Sequence, residues 1–451
     1  MIPLRPIALI AATTAALAGC GTVNRITHAF SPAEHHDPNA VPHEGRVSIL
    51  AFEQALTPDP ALASRTITPP APIAVTEWTQ PGGNASNAPP AQTGSAVLQP
   101  AWRANLGAGS NNRTRISAPP VISNGTLFFL DADHRVHAVS ARDGHQLWTE
   151  ELRPRHSRDN FARGGGVAAS GTRVFVTTGF GFIVALNADN GHELWRAQAD
   201  APFLSAPTVL GDRVYAITND SELMALAVDT GEVSWTHQTI AEPAHIMSAP
   251  SVAIDGETVI APFASGEIIA MLAANGRQLW SDSLSRSGRL TSLSAINDIA
   301  GRPVVSNGVV YAVSHSGVLA AIDIRTGQRV WARSFASTQT PWIAGDVLYA
   351  VNVDGQLAAF DRTTGNVYWV QQLRRTREHD SSGGRVAWTG PIMIGGRLVL
   401  ANSLGQVIAV SPENGQTVAH GDVGKAVFIP PIAANDQIYL VTDDARLVVL
   451  N

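Results

Sequence analysis

The chain has 451 residues, 45% hydrophobic and only 15% charged, with a formal net charge of -6. No dense basic stripe appears and Lys425 is the only lysine, which disfavours nucleic-acid binding. Cys20 is the only cysteine, so an intramolecular disulfide and a metal site of paired cysteines are both excluded.

At the front, Arg5 precedes an apolar, alanine-rich run from Pro6 to Ala18, and the run closes on Leu17-Ala18-Gly19-Cys20. Residues 1–19 are therefore expected to be a secretory signal peptide, too short to span a bilayer. Leu-Ala-Gly-Cys resembles a bacterial lipobox, which implies a palmitate-type lipid on Cys20 as the mature N-terminus. Several acyl chains there would anchor the protein stably, whereas one binds only marginally. Gly21, rather than Asp, follows the cysteine, which by resemblance to enteric sorting rules points to the outer membrane, facing the periplasm. No stretch after residue 20 is apolar enough to cross a membrane as a helix.

Residues 20–97 are rich in proline, alanine, asparagine and serine and poor in large apolar side chains. Burial there would not offset the ordering entropy, so a largely disordered tether is predicted. Two islands interrupt it. One is 46–56 (RVSILAFEQAL), a short strand or helix; the other, 77–84 (EWTQPGGN), is expected to dock on the side of the domain that follows.

From residue 98 to 451 the chain repeats itself. Turns ending in Gly144, Gly191, Gly231, Gly276, Gly327, Gly365 and Gly415 recur at intervals of 38 to 51 residues, and all but the last are followed four residues on by tryptophan. Those tryptophans are Trp148, Trp195, Trp235, Trp280, Trp331 and Trp369; Ala419 takes the last place. Upstream of each turn lies a stretch such as 127–139 (LFFLDADHRVHAV) or 310–322 (VYAVSHSGVLAAI), two β-branched or aromatic runs around a polar turn, which is a hairpin. Eight such hairpins but seven turns leave the last sheet one strand short. Gln99 to Ala104, with Trp102, supplies the missing strand from the other end. The fold class is thus all-β: an eight-bladed β-propeller of four-stranded antiparallel blades, closed by pairing of an N-terminal strand with the C-terminal blade. Ala138, Ala185, Ala225, Ala270, Ala321, Ala359 and Ala409 hold one hairpin position, with Val449 in the eighth copy, so that position faces a crowded neighbour. The tryptophans are expected to bury apolar area between blades rather than to floor a cofactor site.

Enzymatic signatures are scarce. There is no Gly-x-Ser-x-Gly elbow and no Gly-x-x-x-x-Gly-Lys phosphate loop. His134 and His137 are odd-spaced on a strand, which sends their rings to opposite faces and argues against a shared metal. No cofactor, metal or catalytic residue is therefore expected. Inserts between blades collect on one face of a propeller, often the binding face. Ser283 to Gly301 stands out for its small polar residues, and two Arg-rich inserts, 154–163 and 374–385, compete with it; Arg374, Arg375 and Arg377 would suit an acidic partner.

The repeat of Ala-Φ-x-x-x-x-Gly-x-x-x-Trp type resembles that of pyrroloquinoline-quinone-like propellers. With the lipobox and eight blades, the chain is similar to the BamB family of outer membrane protein assembly factors. The resemblance implies a non-catalytic scaffold lipoprotein of the BAM complex. Its expected partners are the periplasmic POTRA domains of the central barrel protein and, by strand addition, unfolded outer membrane proteins. The segment 292–305 (SLSAINDIAGRPVV) is similar to a family loop with an acidic cluster before a Thr/Arg-Pro-Val-Val strand. Asp298 matches its first acidic position, while Ala300 stands where a second aspartate is usual. The other contact strip of the family falls at Glu242 to Met247, with His245 in the place of an arginine and Ala244 in that of a leucine. By this resemblance the partner-binding residues are Glu242, His245, Ile246, Met247, Arg289, Ser292, Asn297, Asp298 and Ile299, with Asp298 on a solvent-facing loop. The alternative is an envelope propeller that binds a quinone or another small ligand, related to quinoprotein dehydrogenases. Those enzymes are longer and carry adjacent cysteines beneath the cofactor, which this chain lacks.

Overall fold

The computed structural model describes residues 56–154, 161–242, 250–285, 297–377 and 384–451. Cys20, the signal segment and all of the 46–56 island except Leu56 lie outside them.

The described residues form eight four-stranded antiparallel sheets. Blade 1 runs Val121–Ser123, Thr126–Leu130, Arg135–Ser140 and Gln146–Glu151, in that spatial order. The first strands of blades 2 to 8 are Gly165–Ser170, Thr208–Leu210, Ala253–Asp255, Val304–Ser306, Trp342–Ala344, Trp388–Ile394 and Ile432–Ala434. First strands are mostly buried and line the axis, whereas fourth strands such as Gln146–Glu151 alternate exposed and half-buried residues at the rim. Because the strands alternate in direction, each blade puts its first and third turns on one face. The second turn and the connector to the next blade lie on the other, here called the connector face.

Apolar clusters fill the gaps between blades. Phe128 and Val136 of blade 1 pack with Val174 and Val184 of blade 2, and a larger cluster carries blades 6, 7 and 8 back to Leu127 and Phe129 of blade 1. Blade 8 takes its outer strand from Pro100–Asn105, which pairs antiparallel with Arg446–Leu450, Trp102 opposite Val449.

The tryptophan and the glycine of the repeat meet between blades, not within one. Trp148 lies on Gly191 of the next blade, Trp195 on Gly231, Trp235 on Gly276, Trp280 on Gly327, Trp331 on Gly365, Trp369 on Gly415 and Trp102 on Gly144. A Cβ at any of these glycines would come within 3.0 Å of the neighbouring blade, and their φ values of +70 to +76° are ones that side chains resist. Six of the indole N–H groups donate to a carbonyl of the next blade at 2.6–3.0 Å. Opposite each of these six rings in register stands the repeat's alanine, Ala138 facing Trp148 and Ala270 facing Trp280, and every one of these alanines is buried.

The geometry also accounts for Ala419. Blade 8 has no glycine turn for a tryptophan of blade 7 to rest on; the chain ends meet there instead, Leu98 N–H donating to the Asn451 carbonyl at 2.8 Å. Gly421 lies against Leu98, whose carbonyl an added Cβ would approach to 2.9 Å.

Residues 56–97 depart from the expected tether. Asp59 N–H donates to Val367 O on the rim of blade 6, and residues 75–92 then run around the axis on the face opposite the connectors. Asn435 N–H donates to Val75 O (blade 8), Trp78 and Ile122 exchange two backbone bonds at 2.8 Å (blade 1), and Ala169 N–H donates to Thr79 O (blade 2). The Gln80 side chain bonds Val209 N–H and C=O at 3.1 Å (blade 3). Ile254 and Val305 N–H donate to Ala85 and Ser86 (blades 4 and 5), and Gln92 exchanges bonds with Met393 and Gly395 (blade 7). This strap satisfies edges that the inner strands would otherwise leave open. Trp78, 3% exposed, is part of it, so the 77–84 island docks at the axis and not on the side of the ring.

Candidate partner-binding face

In chain order the expected contacts fall in the connectors between blades 3 and 4 and between blades 4 and 5. His245, Ile246, Met247, Arg289 and Ser292 lie outside the described residues. Glu242 and Asn297 are half-buried. Asp298 is only 4% exposed and Ile299 is fully buried, which corrects the expectation of a solvent-facing loop at these two positions. The end of this insert is stitched into blades 4 and 5: His315 N–H donates to Asp298 O at 3.0 Å, and Gly266, with φ +83°, lies against Asn297, leaving no room for a Cβ. Asp298 lines a small cleft of about 30 Å³ with Thr218 and Ser221 of blade 3 and Phe263 of blade 4.

That cleft reaches the described start of the blade 3 connector through Ser221. On its blade 3 side, Ser221 O accepts from Thr239 N–H at 3.1 Å, just after the outer strand Val233–Gln238 ends. Gln198, Gln238 and Gln372, each closing its outer strand, give their amides to second-turn carbonyls, Gln238 to Asp220 O at 2.6 Å, which fixes how the connectors leave the rim. The next residues were missed in the sequence: Ile240 is 74% exposed, the most exposed large hydrophobic side chain among the described residues. Its signal was an isoleucine placed two residues past the last ladder position, where no neighbouring blade covers it.

The other candidate features have internal uses. Arg374 donates to the carbonyls of Thr376 and Arg377 and so ties its own loop, while Arg375 and Arg385 flank Asp354 at 4.0 and 3.5 Å. His137 Nε2 bonds Asp131 Oδ2 at 3.0 Å, and His134 Nε2 accepts from Gly179 N–H at 3.2 Å, so the two rings have separate partners. Burial pushes His134 down to about 4, against the opposing pull of Asp131's charge. Asp131 titrates below the usual carboxylate range: burial works against this, but the bonds from His137, Ala108 and Arg135 outweigh it.

Comparison with known proteins agrees with this architecture. A family model described as outer membrane protein assembly factor BamB matches residues 91–158 and 132–371, more than half of the chain. The BamB of Yersinia pestis is 28% identical over 357 residues, covering 75% of this chain and 85% of that one. The Escherichia coli K12 protein is 26% identical over 369 residues, covering 77% and 87%. Among solved structures, BamB from Moraxella catarrhalis superposes with a TM-score of 0.66 at 22% identity, covering 79% of this chain and all of that one. A europium-containing methanol dehydrogenase reaches 0.64 at 14% identity, over 81% and 89%. At these identities the structures speak for the fold alone. The match of the family model across the blades shows that the chain belongs to the BamB family of outer membrane protein assembly factors.

Proposed function

We propose that this protein is a non-catalytic scaffold of outer membrane protein assembly, held at the outer membrane by lipid on Cys20 and facing the periplasm. Its connector face at blades 3 to 5 binds the POTRA region of the central barrel protein. The observation that carries the site is the exposed Ile240 close to half-buried Glu242 in the connector that follows blade 3. An apolar anchor ringed by polar groups is the pattern of a binding hot spot. The mechanism is geometric: interlocked blades fix where the connectors leave and rejoin the ring, and lipid confinement raises the effective concentration of a modest contact.

Binding of purified POTRA domains to the Ile240→Ala protein tests this. A largely exposed isoleucine contributes little to the fold, so unfolding should be nearly unchanged, while affinity should fall about tenfold, equivalent to about 1.4 kcal/mol. Glu242→Arg and Asn297→Arg should weaken it further. Unaltered affinity in all three would remove the interface from this face. Asp298→Arg is a poor probe, since it would put a larger side chain of opposite charge at a buried position and disturb blades 4 and 5.

A further inference from the structure

On the axis, the connector side of the ring encloses a cavity of about 240 Å³, lined from blades 5, 6, 7, 8 and 1. Arg302 reaches it, with Gln339, Thr340, Trp388, Thr389 and Phe428 among its walls. On the far side of Arg302 a smaller cavity of about 40 Å³ is floored by the strap residues Trp78, Gly82 and Asn87. Arg302 thus stands between an open axial chamber and a floor that the strap has closed.

Arg302 is 7% exposed, yet its Nε has no hydrogen-bond partner, and among the described residues no carboxylate faces the guanidinium. Burial alone brings it down to about 10, so it remains charged at neutral pH. A buried cation without a counter-charge is costly, and proteins seldom keep one. The neighbouring groups are donors as well. Thr340 Oγ1 accepts from Arg302 N–H at 3.1 Å, which leaves its own hydrogen to give, and Trp342 Nε1, at the wall of the smaller cavity, is unpartnered. By contrast Thr389 is already used, donating to Gln339 Oε1 at 3.0 Å.

We infer that the axial cavity is a binding site for a small organic monocarboxylate, whose carboxylate pairs with Arg302 and whose apolar body lies against Trp388 and Phe428. A guanidinium fork matches a carboxylate in plane and spacing. One cation with neutral donors suits one negative charge, and the apolar walls suit a carbon body more than a phosphate. The volume falls below the roughly 300–1,000 Å³ of sites for drug-sized molecules, which restricts the occupant to a small acid. None of this depends on the scaffold reading, and the site lies away from Ile240.

Titration calorimetry of the purified full-length protein with benzoate, at constant ionic strength, tests the site, with benzamide and inorganic phosphate as comparison ligands. Saturable binding of benzoate alone is expected. It should weaken about tenfold or more in Arg302→Met, which loses a charge-assisted pair, and less in Arg302→Lys. Without ligand, Arg302→Met should unfold no more easily than the parent, because it removes an unpaired buried charge. Absence of saturable heat with benzoate in the parent protein would overturn the proposal whatever the variants do. Equal binding of benzamide, a preference for phosphate, or undiminished benzoate binding by Arg302→Met would each overturn it too.

Discussion

Replacing Gly327 with alanine tests the interlock between blades, and Gly308 in the same blade provides the control. Both glycines have nearly the same backbone, φ +73° and +74°, so both substitutions carry the same left-handed penalty of roughly 1–2 kcal/mol. They differ in surroundings. Nothing lies within 4 Å of a Cβ at Gly308, whereas at Gly327 the added carbon would be 2.6 Å from Trp280 Cγ and 2.8 Å from its Cβ. Trp280 is held by its bond to Ile324 O at 2.6 Å and cannot move without losing it. Displacement should therefore add roughly 1–3 kcal/mol of overpacking and about 1 kcal/mol for the hydrogen bond. Gly327→Ala should then destabilise by about 3–6 kcal/mol against about 1–2 kcal/mol for Gly308→Ala, read from urea unfolding followed by tryptophan fluorescence. In a Trp280→Ala background the two alanine substitutions should become equivalent, since the obstructing ring is gone. Equal effects in the parent protein, or strict additivity of Gly327→Ala with Trp280→Ala, would refute the interlock.

Two further outcomes follow from buried polar groups. Gln80→Ala removes both bonds from the strap to Val209 and strands that backbone pair at the axis, so roughly 1–3 kcal/mol should be lost locally; faster amide exchange across residues 75–92 with unchanged exchange in the outer strands is the expected reading. His134 sits lowered to about 4 in the fold against an ordinary 6.5. The unfolded chain therefore binds the extra proton first, and the contribution is complete above pH 6.5 and is lost as pH falls toward 4. It amounts to at most about 3 kcal/mol. His134→Asn, which tolerates the φ of +60° at this position, should flatten stability over that interval, while any loss below it, where Asp131 protonates, persists.

The blade architecture was legible in the sequence because its stabilising parts are repeated. Six copies carry the same tryptophan, alanine and glycine, and their spacing reports the sheet even though the ring meets the glycine of the next copy, which no reading within one repeat reveals. Blade 8 was legible from a shortage, one strand missing at the end and one spare tryptophan strand at the start.

Other features depended on groups distant in the chain. The strap over residues 75–92 looks like a linker because proline, glycine and amides dominate it, and these residues gain their order from hydrogen bonds to the open edges of inner strands, not from apolar area. Asp298 and Ile299 read as exposed loop residues until blades 4 and 5 are seen to enclose Ile299 in their shared cluster and His315 to bond the Asp298 carbonyl. Ile240 is marked in the sequence only by its place just past a strand, and nothing local shows that Arg302 of the Arg-Pro-Val-Val strand is buried. By itself the sequence determined the number of blades, their strand order and the closure of the ring, since periodic burial of large side chains specifies those. Only the tertiary structure decided which connector ends are covered, where the early segment lies and which buried charge faces the axial chamber. Exposure and pairing belong to the neighbours a residue acquires when eight sheets meet around one axis.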